Sequence, residues 1–239
     1  MTVYIYNGHG ASAADAKILH FMFTTALHAH GIQVKYISES MLNNPHSLWQ
    51  RDGQVLVIGG GEFTKVKQGL TPYGWQAIRD FAARKSYVGK CMGGYGGADL
   101  ISFLGEDGPK SSGGFEFFNG VARGSLPILP TFYTGKSDSA KIALFRHEKY
   151  GIEFPALYWG GSCFVPYTNS TQNVEPLVTL KSLNGDQTFT MGIKVPVGND
   201  GGKALLLGYH SEARPVDIRK WVLEFCESPH DITRLENEM

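Results

Sequence analysis

The residue in this chain best suited to nucleophilic chemistry is Cys91. It stands in Gly89-Lys90-Cys91-Met92-Gly93, with a glycine two positions away on either side. Tyr87-Val88, just before it, is a short apolar run with the character of a strand. Met92, Tyr95, Ala98, Leu100, Ile101 and Phe103, after it, fit the start of a buried helix. A strand that turns sharply into a helix with a nucleophile at the bend is a nucleophile elbow. The glycines permit the unusual backbone angles of the bend and let the helix press against neighbouring strands. A cysteine at a helix N-terminus is expected to ionise more easily than a free thiol, because the helix dipole and the free N–H groups favour the thiolate. The same residues also suit a small buried cysteine on a Gly-rich helix, so the reading depends on what else the chain supplies.

A thiol nucleophile needs a base, and the base needs something to orient it. Of eight histidines, His210 is the best placed. It ends the apolar run Ala204 to Tyr209, and Glu212 follows in His210-Ser211-Glu212. A histidine at a strand end reaches the sheet edge where an elbow also opens, and a carboxylate two residues on can fix its tautomer. His9, after the first strand, is a second histidine at the ligand-binding end of such a sheet. His28 and His30 are two apart and point to different helix faces, which suits surface or helix-end positions and not a metal site. His20 reads as structural. His46, His147 and His230 lie in polar, turn-like or terminal surroundings. Gly59-Gly60-Gly61 follows a buried strand, and one of its backbone N–H groups, with that of Met92, is placed to hold a developing oxyanion.

The elements that must position these residues follow from periodicity. Val3 to Tyr6 is a strand ended by Asn7-Gly8. Ser12 and Asp15 resemble a capping box, with Asp in place of Glu. They open a helix carrying Ile18, Leu19, Met22, Phe23 and Leu27, stopped by Gly31. Ile32 to Ile37 alternates like a second strand. Ser40 to Gly53 is polar and turn-rich, and Val55 to Ile58 is a strand buried on both faces. Thr71-Pro72 caps a helix whose buried stripe is Trp75, Ile78, Phe81 and Ala82. Alternating strands and helices predict an α/β fold, a mostly parallel sheet flanked by helices. After Phe103 come short aromatic and turn-rich segments. An additional run of antiparallel strands follows at Leu177–Leu183, Thr188–Val195 and Lys203–Tyr209, with a hairpin turn at Asn184-Gly185. Pro215 opens a last helix with Ile218, Trp221, Val222 and Phe225 on one face. No compositional break divides residues 1–239, so one domain is expected.

Composition narrows the function. The chain has 239 residues, is 42% hydrophobic and 18% charged, and has a formal net charge of zero. That describes a globular chain with no electrostatic case for a nucleic-acid or membrane-surface partner. Three cysteines without a CxxC pair argue against a disulfide framework and a cysteine zinc site. A free reactive thiol suits a reducing cytoplasm. There is no signal-peptide pattern and no apolar run of about 18 residues. No cofactor and no metal are expected. The expected partner is a small-molecule or peptide amide substrate, together with a protein partner.

The order of a Gly-Gly loop after a strand, G-x-C-x-G at an elbow and H-x-E after a late strand resembles the class I glutamine amidotransferase superfamily, whose fold is flavodoxin-like. The residues are Gly59-Gly60-Gly61, Gly89 to Gly93 and His210-Ser211-Glu212. A nearer resemblance is to the N-terminal, amidotransferase-like domain of biotin-protein ligases in a stand-alone form. It is carried by Val3-Tyr4-Ile5-Tyr6-Asn7 with Gly10, by Gly93-Gly94-Tyr95, and by Tyr158-Trp159-Gly160-Gly161. The resemblance implies Cys91 as nucleophile, His210 as base and acid, Glu212 as its orienter, and Gly60, Gly61 and Met92 as oxyanion contributors. Tyr95 stands where glutamine-using members carry a substrate-holding glutamine, and H-S-E replaces the usual H-P-E. The triad is kept, while Tyr95 as a substrate-binding residue weighs against glutamine as the substrate. No GRGRxG-like biotin-adenylate loop is found, so no biotin ligase activity is expected of this chain by itself. The expected activity is hydrolysis or transfer of an acyl group from an amide or ester. A non-catalytic ligand-binding or regulatory module of the same fold is the alternative, and a redox sensor pairing Cys91 with Cys163 is a third reading.

Overall fold

Val3 and Ile5 point to one side of the first strand and Tyr4 and Tyr6 to the other, and all four are buried. A strand buried on both faces belongs to the middle of a layered α/β structure. The computed structural model describes residues 1–105, 108–126, 139–182 and 184–210. Its first half runs β1 (Thr2–Tyr6), α1 (Ala13–Leu27), β2 (Gln33–Ile37), α2 (Glu39–Leu42), α3 (Trp49–Asp52), β3 (Gly53–Ile58), α4 (Phe63–Gly69), α5 (Pro72–Arg84), β4 (Ser86–Lys90) and α6 (Met92–Gly96). The second half is β5 (Ala98–Gly105), β6 (Gly108–Gly113), β7 (Phe118–Gly124), β8 (Lys141–His147), β9 (Ile152–Tyr158), β10 (Cys163–Pro166), β11 (Glu175–Lys181), β12 (Thr188–Val197) and β13 (Gly202–Leu207).

Nine strands form one sheet in the order β2-β1-β3-β4-β13-β12-β11-β8-β9. It is parallel from β2 through β13 and antiparallel from β13 to β9. Helix α1 covers one face, where Leu19, Met22, Phe23 and Leu27 join Val3, Ile5, Val55 and Val57. Helix α5 covers the other, where Ala77, Ile78, Phe81 and Ala82 join Tyr4, Leu56 and Tyr87. The parallel sheet flanked by helices and the added antiparallel strands are as the sequence predicts.

Capping explains where the helices begin. Ser12 Oγ accepts the Asp15 N–H at 3.3 Å, and Thr71 Oγ accepts the Gly74 N–H at 3.2 Å with Pro72 at the first helical position. Only half of the expected capping box forms at Ser12. The Ser12 N–H goes to Gly60 O at 2.9 Å, and the Asp15 carboxylate turns elsewhere.

The expected long helix after the elbow is not found. Helix α6 is five residues, and residues from Ala98 onward form β5. Gly93, Gly94, Gly96 and Gly97 each disfavour a helix by about 1 kcal/mol relative to alanine. β5 instead lies in a second sheet of order β10-β7-β5-β6, parallel to β7 and antiparallel to β6. The polar stretch from Ser40 to Gly53 holds most of the one-turn helix α2 and all of α3. The expected helix from Pro215 lies outside the described residues.

Candidate active site

β4 and β13 are adjacent and parallel, with Lys90 opposite Leu207. Their C-terminal ends therefore open at one edge of the sheet, and Cys91 follows one while His210 follows the other. Cys91 has φ 50° and ψ −109°, a conformation that non-glycine residues rarely adopt. Three backbone hydrogen bonds hold it there: Cys91 N–H to Leu207 O at 2.8 Å, Gly93 N–H to Gly59 O at 3.0 Å and Tyr95 N–H to Cys91 O at 3.0 Å. The glycine at 93 is a packing requirement, because a methyl group there would overlap the Ile58 carbonyl oxygen.

A cavity of about 380 Å³ opens beside Cys91. Gly61, Met92, Tyr95 and Trp159 are among its walls. Trp159, whose position sequence cannot give, also lies with its ring centroid 6.3 Å from that of His210. Its carbonyl oxygen is 4.0 Å from the Cys91 sulfur, and its indole N–H donates to Ser139 Oγ at 3.2 Å. The Tyr95 hydroxyl donates to Gly160 O at 3.0 Å, and that of Tyr158 donates to Gly161 O at 2.9 Å. Tyr95 thus ties the Tyr158-Trp159-Gly160-Gly161 turn to the elbow, and Tyr158 braces the turn from within. His9 is exposed and is not part of this cavity wall; its N–H donates to Glu39 Oε2 at 2.9 Å.

Behind the cavity lie three buried charged or titratable side chains. Asp15 is 7% exposed, Lys90 2% and His210 7%. Asp15 Oδ1 is 3.8 Å from His210 Nδ1 and 4.0 Å from Lys90 Nζ, while its Oδ2 accepts the Gly60 N–H at 2.6 Å. That bond occupies the Gly60 amide; the other expected oxyanion contributors, Gly61 and Met92, both line the cavity. Gly61, at φ +146°, takes a backbone angle that favours glycine.

Electrostatics depart from the expected easy thiolate. Cys91 is partly exposed at the cavity wall, yet burial, with the Asp15 charge, pushes its thiol up to about 12. Lys90 and the Met92 backbone N–H pull the other way without prevailing. Helix α6 is too short for its dipole to compensate. Burial first, and then the Lys90 charge, lower the His210 imidazole to about 4, with Asp15 opposing. Burial brings Lys90 down to about 8 against the pull of Asp15 and Cys91. At neutral pH the site therefore holds a neutral thiol and a neutral imidazole.

Glu212, Cys226 and His230 lie outside the described residues. The structure brings Cys91, Gly61, Met92 and Tyr95 to one cavity and sets His210 beside Trp159, outside the cavity lining. Asp15 and Lys90 were missed. Each carries a readable signal: an acid in the first turn of the helix after β1, and a lysine ending an otherwise apolar strand. Both positions lie at the crevice of a parallel sheet.

The family model described as biotin-protein ligase, N terminal, matches residues 1–238. A biotin–protein ligase of Schizosaccharomyces pombe is 26% identical over 223 residues, covering 89% of this chain and 33% of the ligase. The chain thus spans about a third of the length of that curated relative. Among solved structures, a cytoplasmic protein from Salmonella typhimurium LT2 is similar at 12% identity and a TM-score of 0.42, with 93% of this chain and 94% of that chain covered.

Proposed function

We infer that this chain, which belongs to the biotin-protein ligase N-terminal family, acts as a cysteine-nucleophile acyl hydrolase or transferase of the class I glutamine amidotransferase-like kind. The observation that carries this reading is the Cys91 backbone. Its positive φ, at a residue with a side chain, opens onto a cavity of about 380 Å³. Strain of this sort costs about 1–3 kcal/mol and persists where the surroundings impose it, most often at functional sites. A cysteine used only for packing has no need of it.

With thiol and imidazole both neutral, His210 serves as a general base during attack and not as one half of a standing ion pair. The Cys91 sulfur bonds the carbonyl carbon while its proton passes to the imidazole. The amides of Gly61 and Met92 face the oxyanion. The imidazolium then gives its proton to the leaving amine or alkoxide, and the C–N or C–O bond breaks. Water repeats the sequence on the thioester, releasing the acid and restoring the thiol. Glu212 orients His210, and Asp15 assists from the Nδ1 side. The free thiols of Cys91 and Cys163 suit a cytoplasmic setting. Biotin transfer is not part of the proposal.

A ligand-binding module without turnover is the second reading, favoured by the raised Cys91 thiol. One experiment separates the two. A p-nitrophenyl ester is incubated with wild type, Cys91→Ala and His210→Ala, and acyl adducts are mapped by peptide mass spectrometry. Acylation at Cys91 that outpaces Cys163 and Cys226, and slows about 100-fold or more in His210→Ala, is the expected result. Equal labelling of all three cysteines, indifferent to His210, would leave the binding module standing.

A further inference from the structure

The cavity wall carries information about what Cys91 attacks. Its apolar residues are Phe63, Met92, Tyr95, Ile101, Phe103 and Trp159, drawn from α4, α6, β5 and the turn after β9. Two of them have polar handles, and both handles are turned to protein. The Tyr95 hydroxyl is bound to Gly160 O at 3.0 Å and the Trp159 N–H to Ser139 Oγ at 3.2 Å. What they leave toward the cavity is ring surface. Phe103 stands edge-on to Tyr95 with centroids 5.7 Å apart, and Phe63 stands edge-on to Phe115 at 5.4 Å. These ring pairs brace the aromatic part of the wall.

Polar side chains share the cavity: Glu62, Thr64 and Ser111 line it, with Ser112 and Lys110 directly opposite Ile101 and Phe103 across the β5–β6 pair. The ring cluster of Tyr95, Phe103 and Trp159 is its apolar part. A charged ligand group set among Tyr95, Phe103 and Trp159 would lose water against rings that return no hydrogen bond, which is unfavourable. An apolar ring would lose nothing of that kind. At about 380 Å³ the cavity lies near the lower end of small-molecule sites, enough for one ring and a short amide.

From this we propose that the site takes an acyl group bearing an apolar ring, of the arylacetyl type, as its amide or ester. The carbonyl lies at Cys91 between the Gly61 and Met92 amides, and the ring lies among Tyr95, Phe103 and Trp159. The proposal rests on the reading of Cys91 as the nucleophile, but ring binding can be tested without any chemistry.

The test uses the Cys91→Ala protein, titrated with phenylacetamide, acetamide and L-glutamine by ligand-observed NMR. Phenylacetamide is expected to bind at least ten-fold more tightly than either of the others, and Phe103→Ala in that background to erase most of the difference. Trp159→Leu, at a different wall, gives the same answer should Phe103→Ala fold poorly. Glutamine or acetamide binding as well as phenylacetamide, or a preference unmoved by both wall variants, overturns the proposal. The acyl-enzyme experiment fails separately. Selective ring binding with no adduct at Cys91 would remove the hydrolase reading and keep the ring-binding site.

Discussion

At the residue scale, the site is organised by its buried charges as much as by its nucleophile. Asp15 raises the Cys91 thiol and Lys90 lowers it, so the balance of these two sets how readily the sulfur ionises. Removing the anion shifts that balance in a known direction. Asp15→Asn keeps an oxygen for the Gly60 N–H but loses the charge, and a thiolate is easier to form without a nearby carboxylate. Iodoacetamide labelling of Cys91 at pH 8 is therefore expected to rise, by roughly 3- to 10-fold. Labelling of Cys163, whose thiol is raised by its own burial, serves as the internal control. An unchanged or slower rate at Cys91 would mean that Asp15 does not act on the sulfur. Wild-type labelling should also keep climbing well above pH 9, because the thiol titrates near 12; a plateau by pH 9 would contradict that environment.

At the element scale, the elbow depends on how closely α6 approaches the strands. Gly93→Ala would set a methyl group into the Ile58 carbonyl oxygen, a backbone atom that has no rotamer to yield. Loss of about 3 kcal/mol or more is expected in urea unfolding. Gly185→Ala, at φ +77° with open space around it, should cost only about 1 kcal/mol. Equal costs would show that close packing is not what the elbow glycine provides. The same comparison explains what could be read from sequence. β1, β2, β3, β4 and the last three strands were legible because each is a local run of alternating or continuous apolar residues. Cys91 and His210 were legible because each follows such a run and parallel neighbours end together. The small sheet was not, since β5 pairs with β7 and β6 through contacts that no local pattern records. The spacing of Met92, Tyr95 and Ala98 fits a helix, and it misled because four nearby glycines outweighed it. Asp15 and Lys90 are marked locally only by position, an acid in the first turn after β1 and a lysine at a strand end, and it takes the fold to bring them together indoors.

At the scale of the whole molecule, burying Asp15, Lys90 and His210 where α1, β4 and the end of β13 meet ties global stability to pH. His210 is lowered from about 6.5 to about 4, so between those values the unfolded chain binds a proton that the folded chain refuses. Stability contributed by the neutral imidazole is complete above about 6.5 and is lost as pH falls through about 4, up to about 3 kcal/mol in all. The urea midpoint is expected to drop from pH 7.5 to pH 4.5, and His210→Gln, which cannot titrate, should flatten part of that drop. Matching profiles in both proteins would place the acid sensitivity elsewhere. The alkaline side carries two opposing terms. Lys90 is lowered from 10.5 to about 8, so folding gains stability as pH rises across that window. Cys91 is raised from 9.0 to about 12, so folding loses stability as pH rises above about 9, where only the unfolded thiol ionises. In wild type the midpoint rises from about pH 8 to 9, where Lys90 acts alone, and levels between about 9 and 10.5, where the two terms offset. Cys91→Ser removes the second term alone. Its midpoint should therefore rise with pH over the range in which wild type stays flat. A Cys91→Ser profile that stays level between about pH 9 and 10.5 would show that burial does not bring Lys90 down, and that the folded protein keeps the Lys90 proton across that range.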